Sequence, residues 1–159
     1  MICFFTVAMR SQNAPVTTAG TTLDAVAGSV TVPVTVRNFV NIGSISLTLD
    51  YNPLAMTFVS YTQNPAFAAN FLITETTPGR LIISWFGAGI TLPNDSHVVD
   101  LLFTFISGTS TLTWYDDGGS CQYTNGSSAI LNDSPYADYY INGVVTNLAA
   151  PVITAPYIT

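Results

Sequence analysis

Lysine is absent from the 159 residues, and the only cations are Arg10, Arg37 and Arg80, set against nine acidic residues for a formal net charge of −6. Nucleic acid is gripped by clustered cations that displace counterions from phosphate, and anionic membrane surfaces are held by similar basic clusters. Composition therefore argues against both as partners. Histidine occurs once, at His97, and glutamate once, at Glu75. A Ser-His-Asp triad would have to be built on His97, which follows Asn94-Asp95-Ser96 at a turn before a strand. That place suits an exposed turn histidine rather than a general base. Glycoside hydrolysis needs two acids facing each other across a cleft, whereas Asp50, Asp100, Asp116 and Asp117 fall on strands or at strand ends without an evident partner. No Gly-x-Ser-x-Gly elbow, phosphate-binding loop or Cys/His metal pattern occurs. The chain reads as non-catalytic.

Cysteine is scarce too, with Cys3 and Cys121 alone. The apolar run Ile2 to Met9 ends in Arg10-Ser11-Gln12; it is too short to span a bilayer and reads as the end of a secretory signal. Residues 1–12 are thus expected to be a signal-peptide remnant and the mature domain to be extracellular or at the cell surface, without membrane insertion. The competing reading of the same run is a buried first strand. Cleavage near Gln12 removes Cys3 and leaves Cys121 without an internal disulfide partner, so the fold must stand on its core.

What the sequence does hold is apolar side chains: 48% hydrophobic and 12% aromatic against 8% charged. That composition fails the test for disorder, and the length suits one domain. No long amphipathic helix is legible; the apolar residues alternate instead. Val30, Val32, Val34 and Val36 alternate with Thr31, Pro33 and Thr35, and Ile45, Leu47, Leu49 and Tyr51 alternate with Ser44, Ser46, Thr48 and Asp50. Pro33, on the wet side, predicts an edge strand because it cannot donate to a ladder. Further strands are predicted at Thr57 to Tyr61, Phe71 to Glu75, Arg80 to Phe86, Val98 to Ile106, Ser110 to Tyr115, Ala129 to Leu131 and Tyr139 to Thr146. Turn signals such as Thr77-Pro78-Gly79 and Asp117-Gly118-Gly119 separate them, and 66–70 is allowed a short helical turn. Eight or nine short strands predict an all-β, antiparallel two-sheet sandwich over residues 14–146. Residues 147–159, with Pro151 and Pro156 and no charge, read as a linker to a following domain, or alternatively as a last strand.

The order Ala27-Gly-Ser-Val-Thr-Val-Pro-Val-Thr-Val36, Ile42-Gly-Ser-Ile-Ser-Leu-Thr-Leu-Asp-Tyr-Asn-Pro53, Thr57-Phe-Val59, Pro78-Gly-Arg-Leu-Ile-Ile-Ser-Trp85 and Val99-Asp-Leu-Leu-Phe-Thr-Phe105 resembles a cohesin domain, the receptor module of bacterial cellulosome scaffolds. The likeness covers residues 22–146. It implies a jelly roll of about nine strands, related in architecture to certain carbohydrate-binding modules, that binds a calcium-loaded dockerin through one flat sheet face. In cellulosomal cohesins an Asn-x-Asp pair on the strand before Tyr-Asp-Pro reaches the dockerin, and aligning on Tyr51-Asn52-Pro53 puts Ser44 and Ser46 there. A hydroxyl lacks the charge and reach of Asp, and charge-assisted bonds are roughly twice as strong as neutral ones. The expected partner-binding residues are Ser44, Ser46, Thr48, Asp50 and Ser84, on a hydrogen-bonding face with little charge.

Two other features compete for function. Tyr115, Tyr123, Tyr136 and Tyr139 gather late in the chain, and exposed aromatics stack on sugar rings, so a carbohydrate-binding module is the alternative; a spacer or adhesin module without a specific ligand is a third. No cofactor is expected. Calcium is nevertheless considered, since Asp116, Asp117, Asp133 and Asp138 share one polar stretch and calcium takes oxygen ligands from flexible loops. The spacing matches no EF-hand, and the same residue types are ordinary turn formers.

Overall fold

The structure, a computed structural model, describes residues 12–147. The expected signal remnant at 1–12, with Cys3, and the expected linker at 147–159 lie outside the described residues apart from Gln12 and Asn147. The described chain forms eleven strands: β1 Val16–Ala19, β2 Gly28–Arg37, β3 Ile42–Asp50, β4 Met56–Gln63, β5 Leu72–Thr77, β6 Arg80–Ile90, β7 Ser96–Phe105, β8 Thr109–Trp114, β9 Gln122–Asn125, β10 Tyr140–Ile141 and β11 Gly143–Thr146, with a 3-10 turn at Tyr136–Asp138. One sheet has the order β10-β1-β2-β7-β4. The other runs β11-β8-β3-β6-β5, with β9 also paired to β3.

Period-two patterning drives this arrangement, because successive side chains of a strand point to opposite faces. Val32, Val34 and Val36 of β2 and Val99, Leu101, Phe103 and Phe105 of β7 turn inward from the first sheet. Ile45, Leu47 and Leu49 of β3, Leu81, Ile83 and Trp85 of β6, and Leu112 and Trp114 of β8 meet them from the second. Each such side chain, once fully buried, contributes roughly 1.5–3 kcal/mol of transfer free energy. Both tryptophans pack in the core, as their alternation predicts. Between the sheets, Phe39 lies edge-on to Phe67 and to Tyr123, and Tyr51 to Phe103.

Five details correct the sequence reading. β2 is interior, between β1 and β7. Pro33 is tolerated there because its carbonyl, and hence its donor-less nitrogen, faces the side on which β1 has already ended: Pro33 O accepts from Gly20 N at 2.8 Å, just past the last β1 pair. Ala129 to Leu131 is no strand. Its place is taken by β9, with Ile130 making only an isolated bridge to Thr124. Tyr139 to Thr146 is broken at Asn142, where the chain passes from β10 in one sheet to β11 in the other. Asn142 Oδ1 holds the break by accepting from Trp114 N at 2.9 Å, and a Cβ on Gly143 would lie 2.6 Å from the Ala19 carbonyl oxygen. β1 was not anticipated, because its Val16-Thr-Thr-Ala19 is too short to show a period. Finally, 66–70 forms no helix; that loop is fastened instead by Phe67, which is fully buried.

Candidate functional site

With Ile45, Leu47 and Leu49 committed to the core, β3 must turn Ser44, Ser46, Thr48 and Asp50 outward. Strand register then sets their neighbours. Ser44 lies between Phe86 of β6 and Thr124 of β9, Ser46 between Ser84 and Gln122, Thr48 beside Ile82, and Asp50 between Arg80 and Thr113. β5 extends the grid by setting Leu72 beside Ser84 and Thr74 beside Ile82. All five residues expected to meet a partner thus share the outer face of the six-stranded sheet.

They are not equally available. Ser46 is exposed and its hydroxyl makes no hydrogen bond to the described residues, while Ser44 shares a 2.7 Å hydrogen bond with Thr124 Oγ1. Ser84 donates to Leu72 O at 3.4 Å. Thr48 departs from expectation: it is only 7% exposed, because the segment after β8 folds over it. Its hydroxyl donates to Ser120 O, and its carbonyl accepts from Tyr115 N and from the Cys121 thiol. Thr48 therefore holds that segment in place rather than facing a ligand. Asp50 accepts two bonds from Arg80, at 2.6 and 2.7 Å, and the guanidinium lies 4.0 Å over the Tyr115 ring. The hydrogen bond to Asp50 raises the Arg80 pKa further above its already high ordinary value. The pair's charges are spent on each other.

Sequence reasoning missed the apolar half of this face. Phe86 is 65% exposed, Leu72 56% and Ile82 36%. β6 carries apolar residues on both sides over Leu81 to Phe86, broken outward only by Ser84, a pattern close to that of a strand buried on both faces. Only the sheet assembly shows that nothing in the described chain covers its outer side. Gln122 and Thr124 were missed because β9 itself was.

The tyrosines do not form an exposed strip. Tyr123 is 1% exposed, with its hydroxyl bonded to Thr17 Oγ1 at 2.7 Å and its pKa pushed well up by burial. It occupies an inward position of β9 and is withdrawn from any glycan. Tyr136 and Tyr139 are half-buried against the core, Tyr136 with its ring 4.6 Å from that of Tyr140. Tyr115 carries Arg80 on its face.

The aspartates considered for calcium are engaged separately in loop chemistry. Asp116 accepts from Gly118 N, and Asp117 accepts from Ser120 N and Oγ, bonds that lower its pKa. Asp133 accepts from Tyr140 Oη at 3.2 Å, and Asp138 ends the 3-10 turn. Among the described residues, no three His, Cys, Asp or Glu side chains converge as a metal site would require. His97 is exposed and lies 2.9 Å from Asp100 through Nδ1. Cys121 is buried, and burial pushes its thiol up to about 11.

Comparison with known proteins bears on this geometry. The family description "Cohesin domain" matches residues 15–142. Among solved structures, the chain is similar to a cohesin from Clostridium acetobutylicum at 21% identity, covering 88% of this chain and 95% of that one, with a TM-score of 0.67. It is also similar to a type I cohesin in complex with a dockerin from Clostridium thermocellum, at 14% identity, 84% and 99% coverage and a TM-score of 0.68. A non-cellulosomal cohesin from the archaeon Archaeoglobus fulgidus aligns at 17% identity, 86% and 92% coverage and a TM-score of 0.66. At these identities the likeness shows the fold. No curated protein matches the chain.

Proposed function

We propose that this chain, which belongs to the cohesin family, is a non-catalytic recognition module that binds a dockerin-type protein through the outer face of its six-stranded sheet. The observation that carries the reading is the contiguous grid of Ser44, Ser46, Ser84, Gln122 and Thr124 beside exposed Leu72, Ile82 and Phe86. Flat faces that mix aliphatic side chains with neutral hydrogen-bonding groups match the make-up of protein interfaces, whose centres are depleted in charge. Glycan binding would call for a strip of exposed aromatics, and nothing in the placement of the four tyrosines supports one. An exported setting belongs to the same proposal, with residues 1–12 left from a secretion signal, 147–159 linking to another domain, and an extracellular, polysaccharide-degrading assembly as the context.

The test is titration of the isotopically labelled chain with a panel of calcium-loaded dockerin modules. The expected result is saturable binding of at least one module, abolished by chelating the calcium that folds it, with amide shifts confined to β3, β5, β6 and β9. Binding of none, or shifts confined to the five-stranded sheet, would overturn the proposal.

A further inference from the structure

Resting on that docking reading, we infer that recognition by this face is apolar and charge-free: the partner presents an uncharged surface whose aliphatic or aromatic side chain seats against Phe86, in the alanine-lined depression between the 66–70 loop and the end of β6. The depression has a volume of about 220 Å³ and is lined by Ala66, Ala68, Ala69, Phe86 and Ala88 among others. It adjoins the docking grid at Phe86, which lies beside Ser44.

Three observations converge on this occupant. First, at the outer positions of β3, β5, β6 and β9 the only ions are Asp50 and Arg80, which already make a bidentate pair, while Asp116 and Asp117, in the segment that folds over Thr48, accept hydrogen bonds within their own loop. Elsewhere the grid carries hydroxyls, one amide, aliphatic groups and the Phe86 ring, although the whole chain is acidic at −6. A Lys or Arg buried against the grid would be desolvated without a partner, which is strongly unfavourable.

Second, exposed apolar side chains gather along β5 and β6, in Leu72, Ile82 and Phe86, with Ile130 alone on the far side beyond Thr124. Binding energy concentrates where an aromatic or aliphatic anchor fills a pocket surrounded by groups that exclude water. The depression supplies such a pocket, and Ser44 and Ser84 supply neutral groups beside it.

Third, the pocket is fastened before any partner arrives. Phe67 inserts beneath the loop between Phe39, Phe71 and Trp85, with ring centroids 6.1, 5.2 and 5.0 Å away. Gln63 Nε2 donates to Phe67 O at 2.6 Å, and Asn64 Oδ1 accepts from Ala66 N at 2.9 Å. A pocket held in this way loses little conformational entropy when it is filled.

A library of calcium-loaded dockerin modules, randomised at their exposed surface positions, tests the inference without needing the natural partner. Selection against the immobilised full chain is expected to enrich aliphatic or aromatic residues with Ser, Thr or Ala beside them. Affinity of the selected modules is expected to change by less than about twofold between low and high salt, because no ion pair is there to be screened. Phe86→Ala and Ala69→Arg are each expected to weaken binding about tenfold or more, while Phe86→Leu keeps most of it. Phe86 is exposed, so the melting temperature should stay put in every variant, and that measurement separates lost docking from lost folding. Enrichment of Lys, Arg, Asp or Glu, strong salt dependence, or binding indifferent to Phe86→Ala and Ala69→Arg would overturn the inference while leaving the docking face intact. A library yielding no binder on this face would overturn both.

Discussion

On the five-stranded sheet the outward positions are taken by Thr31, Pro33 and Thr35 of β2, His97, Asp100 and Thr104 of β7, and Thr57 and Thr62 of β4, with Leu102 half-buried among them. On the six-stranded sheet, Ser44 and Ser46 of β3 and Gln122 and Thr124 of β9 lie beside Leu72, Ile82 and Phe86. Both faces are rich in hydroxyls, and each holds a local side-chain contact to a carboxylate, His97 Nδ1 lying 2.9 Å from Asp100 on one and Arg80 pairing with Asp50 on the other. They differ in how exposed apolar area is placed: among the described residues, the five-stranded face carries Val59 in the bulge of edge strand β4 and Ile141 on edge strand β10, both at its margins, and has no counterpart to Phe86. Hydroxyls alone leave a sheet well solvated. A contiguous apolar strip beside them is what makes water removal favourable on contact.

The largest effect should come from beneath the docking face. Phe67→Ala removes a fully buried ring that contacts three other aromatics, and is expected to cost about 3–5 kcal/mol. Urea unfolding measures it; a loss under about 1 kcal/mol would mean that the loop repacks and is not fastened by this residue. Next, Ser46→Arg places an unpaired cation at the centre of the grid and should weaken dockerin-type binding on the order of a hundredfold, with an unchanged melting temperature. Thr104→Arg, at an exposed outward position of β7 on the other face, should leave binding alone. Equal losses in calorimetric titrations of the two variants would erase the distinction between the faces.

A smaller, global effect is expected at high pH. Cys121 is pushed up to about 11 and Tyr51 to about 12, both chiefly by burial, and Tyr51 also by its hydrogen bond to Glu75. Both groups keep their protons in the folded state at pH values where the unfolded chain has released them. Their contribution is therefore complete below pH 9, the ordinary value for the thiol, and declines as pH rises to about 12. Thermal melts across that range should show a falling midpoint; a flat profile would contradict the burial of these groups. Consistent with that burial, Ellman's reagent at neutral pH should modify Cys121 only after unfolding. The smallest effect is expected from His97→Ala on the five-stranded face, which breaks only an exposed contact; melting temperature and dockerin-type binding should both stay as they were.

Much of this architecture was legible from alternation. The valines of β2 and the aliphatics of β3 follow a period of two, which fixes which face is buried, and the core position of both tryptophans came from the same rule; β7, where Val98 and Val99 are both buried at a bulge, breaks it. Elements without a period were lost: β1 and β9 are four residues each, and the break at Asn142 depends on a contact with Trp114 far away in sequence. At the candidate site, Ser44, Ser46 and Asp50 share an outward side by the parity of β3, and Ser84 joins them through the register of β3 with β6. Thr48 was not recognised as covered, because the residues that cover it are distant in the chain. Phe86, Ile82 and Leu72 were passed over because an apolar residue in a strand reads as buried unless its neighbours are known.

The chain's own order of residues determined the class of fold, the pairing of inner and outer positions on each long strand, and the scarcity of charge, since all three follow from local periodicity and composition. Tertiary structure alone decided which outer face keeps bare hydrophobic surface, which hydroxyl is free, and that Asp50 and Arg80 cancel. Those outcomes depend on strand order and register, set by contacts between residues far apart in sequence that no local window contains.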